Sequence, residues 1–262
     1  MKPIKTYTEL LFRLKSANLD IKDFDYVDGK TKDENLYNHP FILRGKRFYN
    51  NPFFLSILFD NNLVEEVKYI VSMKEFIISY NILAAFVLST QSFTEKIFKD
   101  LIKKYIENDT IDLEQKENTF DNLMVDCAIA GNLEYYKYLE KTAIDNEIKP
   151  KHKTYSNAGN GYCLYNASKL KDESFVMYLL KDADVTLNDS MSFTIACKEA
   201  NYYIALELAK HGIDIHTKRN LGLAMILRND RLERNLDISK RDRDAREELL
   251  KLFENDNNNT NE

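Results

Sequence analysis

The stretch Ala128-Ile129-Ala130-Gly131-Asn132-Leu133-Glu134-Tyr135-Tyr136-Lys137-Tyr138-Leu139 decides how this chain of 262 residues folds. Small and apolar residues close one amphipathic run, and a second run follows the polar turn at Gly131. Glycine readily adopts the left-handed conformation that a tight turn between antiparallel helices requires. The stretch therefore predicts two helices that meet at Gly131.

The pattern occurs four times in the chain, and the stretch quoted above belongs to one of the four copies. Each has a pair of mostly small or apolar residues, a polar turn, and an apolar residue twelve positions after the first member of the pair. The pairs are Leu58-Phe59, Cys127-Ala128, Ala167-Ser168 and Ala196-Cys197. The apolar residues that follow them are Ile70, Leu139, Leu179 and Leu208.

The spacing between copies predicts a repeat protein. Successive copies are offset by 69, 40 and 29 residues. The first offset is close to two units of roughly 34 residues, the period of two-helix repeats. A divergent unit is therefore expected between the first two copies, with helices at 75–88 and 93–106 and a register that the sequence leaves open. One such unit cannot bury its apolar face alone, so the copies are expected to stack.

Composition supports helices and a water-exposed surface. Seven glycines, four prolines and 44% apolar residues favour helices around a sizeable core. The net charge of −5 gives no general attraction to nucleic acid or anionic membrane. The longest apolar run, 82–88, is far too short for a membrane span. We expect a soluble, cytoplasmic protein without a membrane partner, monomeric or weakly oligomeric.

The third unit, quoted above, and the later stretch Lys210-His211-Gly212-Ile213-Asp214-Ile215 resemble ankyrin repeats. The small pair, the turn, the leucine of the outer helix and the Gly-x-Asp-apolar ending carry the resemblance, which covers roughly residues 50–235. It implies an all-α, ankyrin-like helical-repeat solenoid of about five to six helix pairs with terminal caps. The family's Thr-Pro-Leu-His motif is absent. If the hairpins of that family are missing as well, a generic helical-repeat solenoid is the better description.

Four segments are predicted along the chain. They are an N-terminal helix and irregular cap at 1–49, the repeat region at 50–238 with an insertion at 141–161, a C-terminal capping helix at 239–253, and a disordered tail at 254–262. Within the first segment, a helix is expected at 8–17 with Thr6 or Thr8 as its cap. Residues 39–49 are expected to form a short hairpin or an extended linker.

The sequence offers no catalytic constellation. Its four histidines are scattered, and the pair His211 and His216 is better explained as solvated loop residues than as metal ligands. The three cysteines, Cys127, Cys163 and Cys197, fall in predicted inner helices, where reduced thiols pack as small apolar groups. We therefore expect no enzyme activity, no cofactor and no metal site.

Two basic segments are candidate binding sites. The insertion carries Lys149, Lys151, His152, Lys153 and Tyr155, and insertions in repeat proteins often emerge on the binding face. The second segment carries Arg44, Lys46 and Arg47 beside two aromatic residues. The simpler interpretations are a solvated linker for the first segment and, for the second, a turn that covers the first repeat.

These observations predict a non-catalytic scaffold that binds a protein partner of unknown identity through the concave face of its inner helices and its loops. A narrower form of this hypothesis is a viral or phage effector that sequesters a host protein in the host cytoplasm, because degenerate arrays in Asn/Lys/Ile/Tyr-rich chains resemble those of viruses, phages and A+T-rich intracellular microbes. The alternative is a nucleic-acid-associated protein that uses the basic insertion and the patch Arg44–Arg47.

Overall fold

A computed structural model describes residues 3–17, 19, 52–74, 76–89, 94–232 and 238–259. Within these ranges the chain forms thirteen α-helices and no strand, which confirms the expected all-α class. None of the described helices is long and apolar enough to cross a membrane. The predicted hairpin at 39–49, and with it Arg44, Lys46 and Arg47, lies outside the described residues.

The chain divides into two compact units, Met1–Ile111 and Asp112–Glu262. In the first unit, α2 and α3 form one helix pair and α4 and α5 form another, while α2 also contacts α4 and α1 contacts α3. The helices of this unit are α1 Tyr7–Ser16, α2 Pro52–Asp60, α3 Val64–Ser72, α4 Tyr80–Val87 and α5 Thr94–Ile106.

The N-terminal helix α1 starts where the sequence predicts. Thr6 caps it by accepting a hydrogen bond from the N–H of Glu9 at 3.2 Å. Leu10 and Leu14 share one face at i, i+4 and are fully buried. In the divergent unit that was expected at 75–106, the structure has two helices, Tyr80–Val87 and Thr94–Ile106, so the first helix begins later than predicted.

In the second unit, four inner helices, α6, α8, α10 and α12, lie side by side in chain order. Each inner helix contacts the outer helix that follows it, and α13 packs against α11. The helices are α6 Leu113–Ala130, α7 Leu133–Asp145, α8 Tyr162–Lys169, α9 Glu173–Leu179, α10 Met191–Lys198, α11 Tyr202–Lys210, α12 Thr217–Leu232 and α13 Lys240–Asn259.

The residues aligned across the four sequence copies occupy the core. All eight members of the paired positions are at most 1% exposed. The four apolar residues twelve positions later are fully buried: Ile70, Leu139, Leu179 and Leu208. The alignment therefore predicted the buried positions of both helices correctly.

The turn that joins each helix pair is the same in all four copies. The fourth residue after the first member of the pair has a left-handed backbone, with φ between 53° and 66°, at Asn62, Gly131, Lys171 and Ala200. In three copies the N–H of the next residue bonds the carbonyl of the first pair member: Leu63 to Leu58, Asn132 to Cys127 and Asn201 to Ala196, at 2.8–2.9 Å. These bonds satisfy carbonyls at the helix end that would otherwise lack a donor.

The C-terminal segment differs from the prediction. Helix α13 continues to Asn259, so the first six residues of the tail expected to be disordered, 254–262, are helical. Ala245, Leu249 and Phe253 lie at i, i+4 and i+8 and are buried, which anchors the helix. Once a helix is anchored, adding further turns costs little, so the polar residues after Phe253 extend it.

Candidate partner-binding surface

Three successive inner helices are preceded by the same unusual turn. Three consecutive residues with left-handed φ, between 51° and 88°, stand immediately before the regular part of α8, α10 and α12. They are Gly159-Asn160-Gly161, Asn188-Asp189-Ser190 and Lys218-Arg219-Asn220. The regular helices therefore begin at Tyr162, Met191 and Leu221, at intervals of 29 and 30 residues.

Two of these turns follow the same aspartate-centred loop. The carboxylate of Asp184 accepts hydrogen bonds from the N–H of Thr186 at 3.0 Å and from the hydroxyl of that threonine at 2.6 Å, and these bonds lower the pKa of Asp184. Asp214 accepts in the same way from the N–H of His216 at 2.9 Å and from the hydroxyl of Thr217 at 3.2 Å. In the sequence, both loops contain an aspartate followed by an apolar residue, Asp184-Val185 and Asp214-Ile215. This dipeptide therefore indicates the same loop structure in both places.

Buried asparagines connect one helix pair to the next. The side-chain amide of Asn201, 3% exposed, donates to the carbonyls of Ser168 at 2.8 Å and Lys169 at 3.3 Å, at the end of α8. Asn229 donates to the carbonyls of Cys197 at 2.9 Å and Lys198 at 3.3 Å, at the end of α10. These bonds hold neighbouring inner helices in a defined register.

This register places equivalent residues of the inner helices on one exposed surface, which we call the inner-helix face. One row consists of an isoleucine followed by three cations, all exposed: Ile129, Lys169, Lys198 and Arg228. The residues four positions earlier on each helix form a second, more apolar row, in which Val125 and Tyr165 are half-buried, Thr194 is buried and Ala224 is exposed. A third row contains Asn122, Tyr162, Met191 and Leu221. The face therefore joins a cationic edge to a surface of apolar and aromatic groups.

The insertion at 141–161 is largely part of the fold. Helix α7 takes up its first five residues, and Ser156, Asn157 and Ala158 are buried. The side chain of Asn157 accepts from the N–H of Asp184 at 2.8 Å, and the N–H of Gly159 donates to the carboxylate of Asp121 at 3.0 Å. A solvated linker, the simpler interpretation of the sequence, is therefore wrong for the second half of this segment.

The candidate residues of the insertion separate into two groups. Lys149, Lys151 and Lys153 are exposed. Tyr155 is instead half-buried and donates its hydroxyl hydrogen to the carbonyl of Ile148, and burial raises the pKa of Tyr155. His152 is also partly covered, with its ring nitrogen 3.9 Å from the carboxylate of Asp121. The structure thus leaves three lysines of this segment accessible to a partner.

A groove lies between the outer helices α3 and α5 of the first unit. Its volume is about 350 Å³. The apolar side chains of Val71, Ile97 and Leu101 line it together with four charged groups: Lys68, Lys96, Lys104 and Asp100. Lys68 also forms an ion pair with Glu65 at 2.9 Å.

The described residues contain no group of three or more His, Cys, Asp and Glu side chains that could hold a metal ion. Cys127, Cys163 and Cys197 are free and fully buried, and desolvation raises the pKa of each thiol. His211 and His216 bond to the carbonyl of Glu207 and to the side chain of Asn220, at 2.8 and 2.6 Å.

The cationic residues of the inner-helix face were missed in the sequence. Lys169 and Lys198 stand two positions after the first member of their pairs, so the four-copy alignment already contains them as a column with Asp60 and Ile129. Arg228 joins that column only when the last unit is aligned through its left-handed turn, because Lys218-Arg219-Asn220 resembles neither earlier turn in residue type.

Comparison of the chain with protein-family models, curated proteins and solved structures finds no match.

Proposed function

We propose that the chain is a helical-repeat solenoid of ankyrin-like plan. The support is the shared left-handed turn within four helix pairs, the shared buried positions, and the recurring aspartate-centred loops of the second unit. The loops between pairs contain no strand among the described residues. We therefore propose the generic form of this fold, a helical-repeat solenoid with strandless loops, rather than a regular ankyrin array.

We further propose that the protein is a non-catalytic scaffold that recognises a protein partner through the inner-helix face. The observation that carries this proposal is the combination of exposed apolar and cationic side chains on helices held by buried hydrogen bonds from Asn201 and Asn229. A surface that is already ordered loses little conformational entropy when it binds. Aromatic and apolar groups beside charges are also the usual composition of a recognition surface.

The experiment compares partner capture by the full chain and two variants. The first variant carries Ile129→Ser, Tyr162→Ala and Tyr165→Ala on the inner-helix face. The control carries Ile144→Ser and Met177→Ser, which alter exposed apolar side chains on the outer helices α7 and α9. We expect a stoichiometric partner to remain with the wild type and the control and to be lost with the first variant. Identical capture by all three would remove the inner-helix face from the proposal.

A nucleic-acid-associated function remains the second candidate, because Lys149, Lys151 and Lys153 are exposed on a single ordered segment. Binding of this kind weakens steeply as the salt concentration rises, since it releases counterions. The test is fluorescence anisotropy with single-stranded and double-stranded oligonucleotides at low salt, using the full chain. Absence of binding, or binding that survives replacement of all three lysines by serine, contradicts this function.

A further inference from the structure

The three cations Lys169, Lys198 and Arg228, which we call the cationic row, form a regular series. Each lies on a different inner helix, and the intervals of 29 and 30 residues match those between the helix starts. All three side chains are exposed. Because α8 contacts α10 and α10 contacts α12, the three cations stand on directly neighbouring helices.

The spacing of the cationic row follows from helix geometry. Axes of packed helices lie about 8–10 Å apart. Equivalent residues on α8, α10 and α12 therefore recur roughly every 10 Å, and the row spans about 20 Å. In an extended peptide of the polyproline II type each residue advances about 3.1 Å and every third side chain returns to the same face, so side chains on that face repeat at about 9 Å.

Nearby carboxylates and the helix ends account for only part of the positive charge of the cationic row. Lys198 has an ion pair with Glu199 at 3.7 Å, between exposed groups, which contributes little. Lys169 and Lys198 end their helices, where a cation is favourable at the carboxyl terminus. Arg228, however, lies a full turn before the end of α12, and it has no ion pair with a described side chain. The helix-terminal effect thus does not explain why the third helix continues the series.

We propose that the cationic row binds an extended acidic segment of a protein partner, with an Asp or Glu at every third position. Ile129 occupies the equivalent position on α6, next to α8, and is 47% exposed, so the same register adds an apolar contact beside the acidic residue that meets Lys169. Tyr162, 49% exposed, and Tyr165 stand beside the row and contact each other. This inference rests on the proposed function and specifies the chemistry of the partner.

The test uses a fluorescein-labelled peptide that has one Leu followed by three Glu at every third position, with Ser and Thr between them. A second peptide has the same composition with its three Glu consecutive. Both are titrated against the full-length protein at salt concentrations from about 50 to about 200 mM. We expect the spaced peptide to bind about fivefold or more tightly than the second peptide, and its binding to weaken as salt rises.

Two variants assign the binding to the row. Lys169→Ser, Lys198→Ser and Arg228→Ser together are expected to weaken the spaced peptide by about tenfold, since each exposed ion pair contributes a factor of roughly two to five. Lys103→Ser, Lys141→Ser and Lys181→Ser, which remove the same charge from exposed positions elsewhere, are expected to leave binding within twofold of the wild type. Circular dichroism of each variant checks that the helices are intact.

Equal binding of the two peptides, an unchanged affinity of the row variant, or no binding at all overturns the inference. So does a single-stranded oligonucleotide that displaces the spaced peptide and itself loses binding in the row variant, because the row would then hold phosphates. These failures are distinct from failure of the proposed function. If the peptide fails while the inner-face variant still loses its captured partner, the face remains a protein-binding surface and only the acidic register is wrong.

Discussion

Single side chains that bond to backbone carry much of the order between neighbouring helix pairs. Asn201→Ala removes the amide that serves the carbonyls of Ser168 and Lys169 inside the protein. Leaving buried acceptors without a donor costs about 1–3 kcal/mol. We therefore expect a decrease of this size in the free energy of unfolding, measured by urea denaturation.

The matched control for this prediction is Asn166→Ala. The Asn166 amide donates to the carbonyl of Tyr162 within its own helix, at a half-exposed position. Water can replace that bond, so the change should stay within about 0.5 kcal/mol. Equal effects of the two substitutions would show that Asn201 does not connect the helix pairs.

The left-handed turn residues make a second prediction at this scale. Ala200 has φ of 56°, a conformation that costs a residue with a Cβ roughly 1–2 kcal/mol. Ala200→Gly removes this cost but adds freedom to the unfolded chain. We expect a net gain of about 0.5–1 kcal/mol in the free energy of unfolding, seen as a higher melting temperature. Ala224→Gly, within the right-handed part of α12, should instead destabilise by about 1 kcal/mol.

At the level of the element, the buried carboxylate of Asp242 adds polar contacts at the start of helix α13. Asp242, 3% exposed, accepts from the hydroxyl of Ser239 at 2.7 Å, from the ammonium of Lys171 at 2.9 Å and from the N–H of Tyr203 at 3.1 Å. Arg241 adds a contact over the ring of Tyr203, at 3.4 Å from its centroid. The start of α13 is thereby fixed to the preceding helix pairs.

The pH dependence of this attachment follows from the pKa of Asp242. Burial alone raises that pKa, but the hydrogen bonds from Ser239, Lys171 and Tyr203 outweigh burial and lower it below the ordinary value. A carboxylate whose pKa is lower in the folded state stabilises that state fully at pH values above the pKa of the unfolded chain, about 3.9. This contribution disappears as the pH falls through the pKa of the folded state.

We therefore expect Asp242→Asn to reduce the free energy of unfolding by about 1–3 kcal/mol at neutral pH. The difference from the wild type should shrink as the pH drops below about 4, because protonation then removes the same charge from the wild type. Urea denaturation of both proteins over this range measures it. A difference that stays constant down to about pH 2 would mean that the charge of Asp242 plays no part.

At the level of the whole molecule, the four equivalent buried positions of the outer helices should each contribute strongly to the free energy of unfolding. Ile70→Ala, Leu139→Ala, Leu179→Ala and Leu208→Ala each remove a fully buried side chain. Each is expected to lower the free energy of unfolding by about 2–5 kcal/mol in urea denaturation followed by circular dichroism. Leu170→Ala and Leu113→Ala, at exposed positions, should change it by less than about 0.5 kcal/mol. A cost below about 1 kcal/mol at any of the four buried sites would exclude that copy from the repeat.

The sequence predicts the helix pairs because apolar periodicity and short turns are local signals. It does not predict the left-handed residues before α10 and α12, since Ser190 and Arg219 have no preference of their own for that conformation. The same holds for the insertion, whose order depends on long-range bonds such as that between Asn157 and Asp184. The sequence predicts that the inner helices form the binding face. The cationic row can be recognised only when the structure aligns α12 with the inner helices before it.

The three cysteines lie on three neighbouring inner helices, one each on α6, α8 and α10. A buried thiol with a raised pKa is a poor nucleophile, so alkylation must wait until its helix opens. The wild-type chain thus carries three built-in reporters of local opening. Mass spectrometry of pulse-alkylated protein would give an opening rate for each of these three helices without any introduced label.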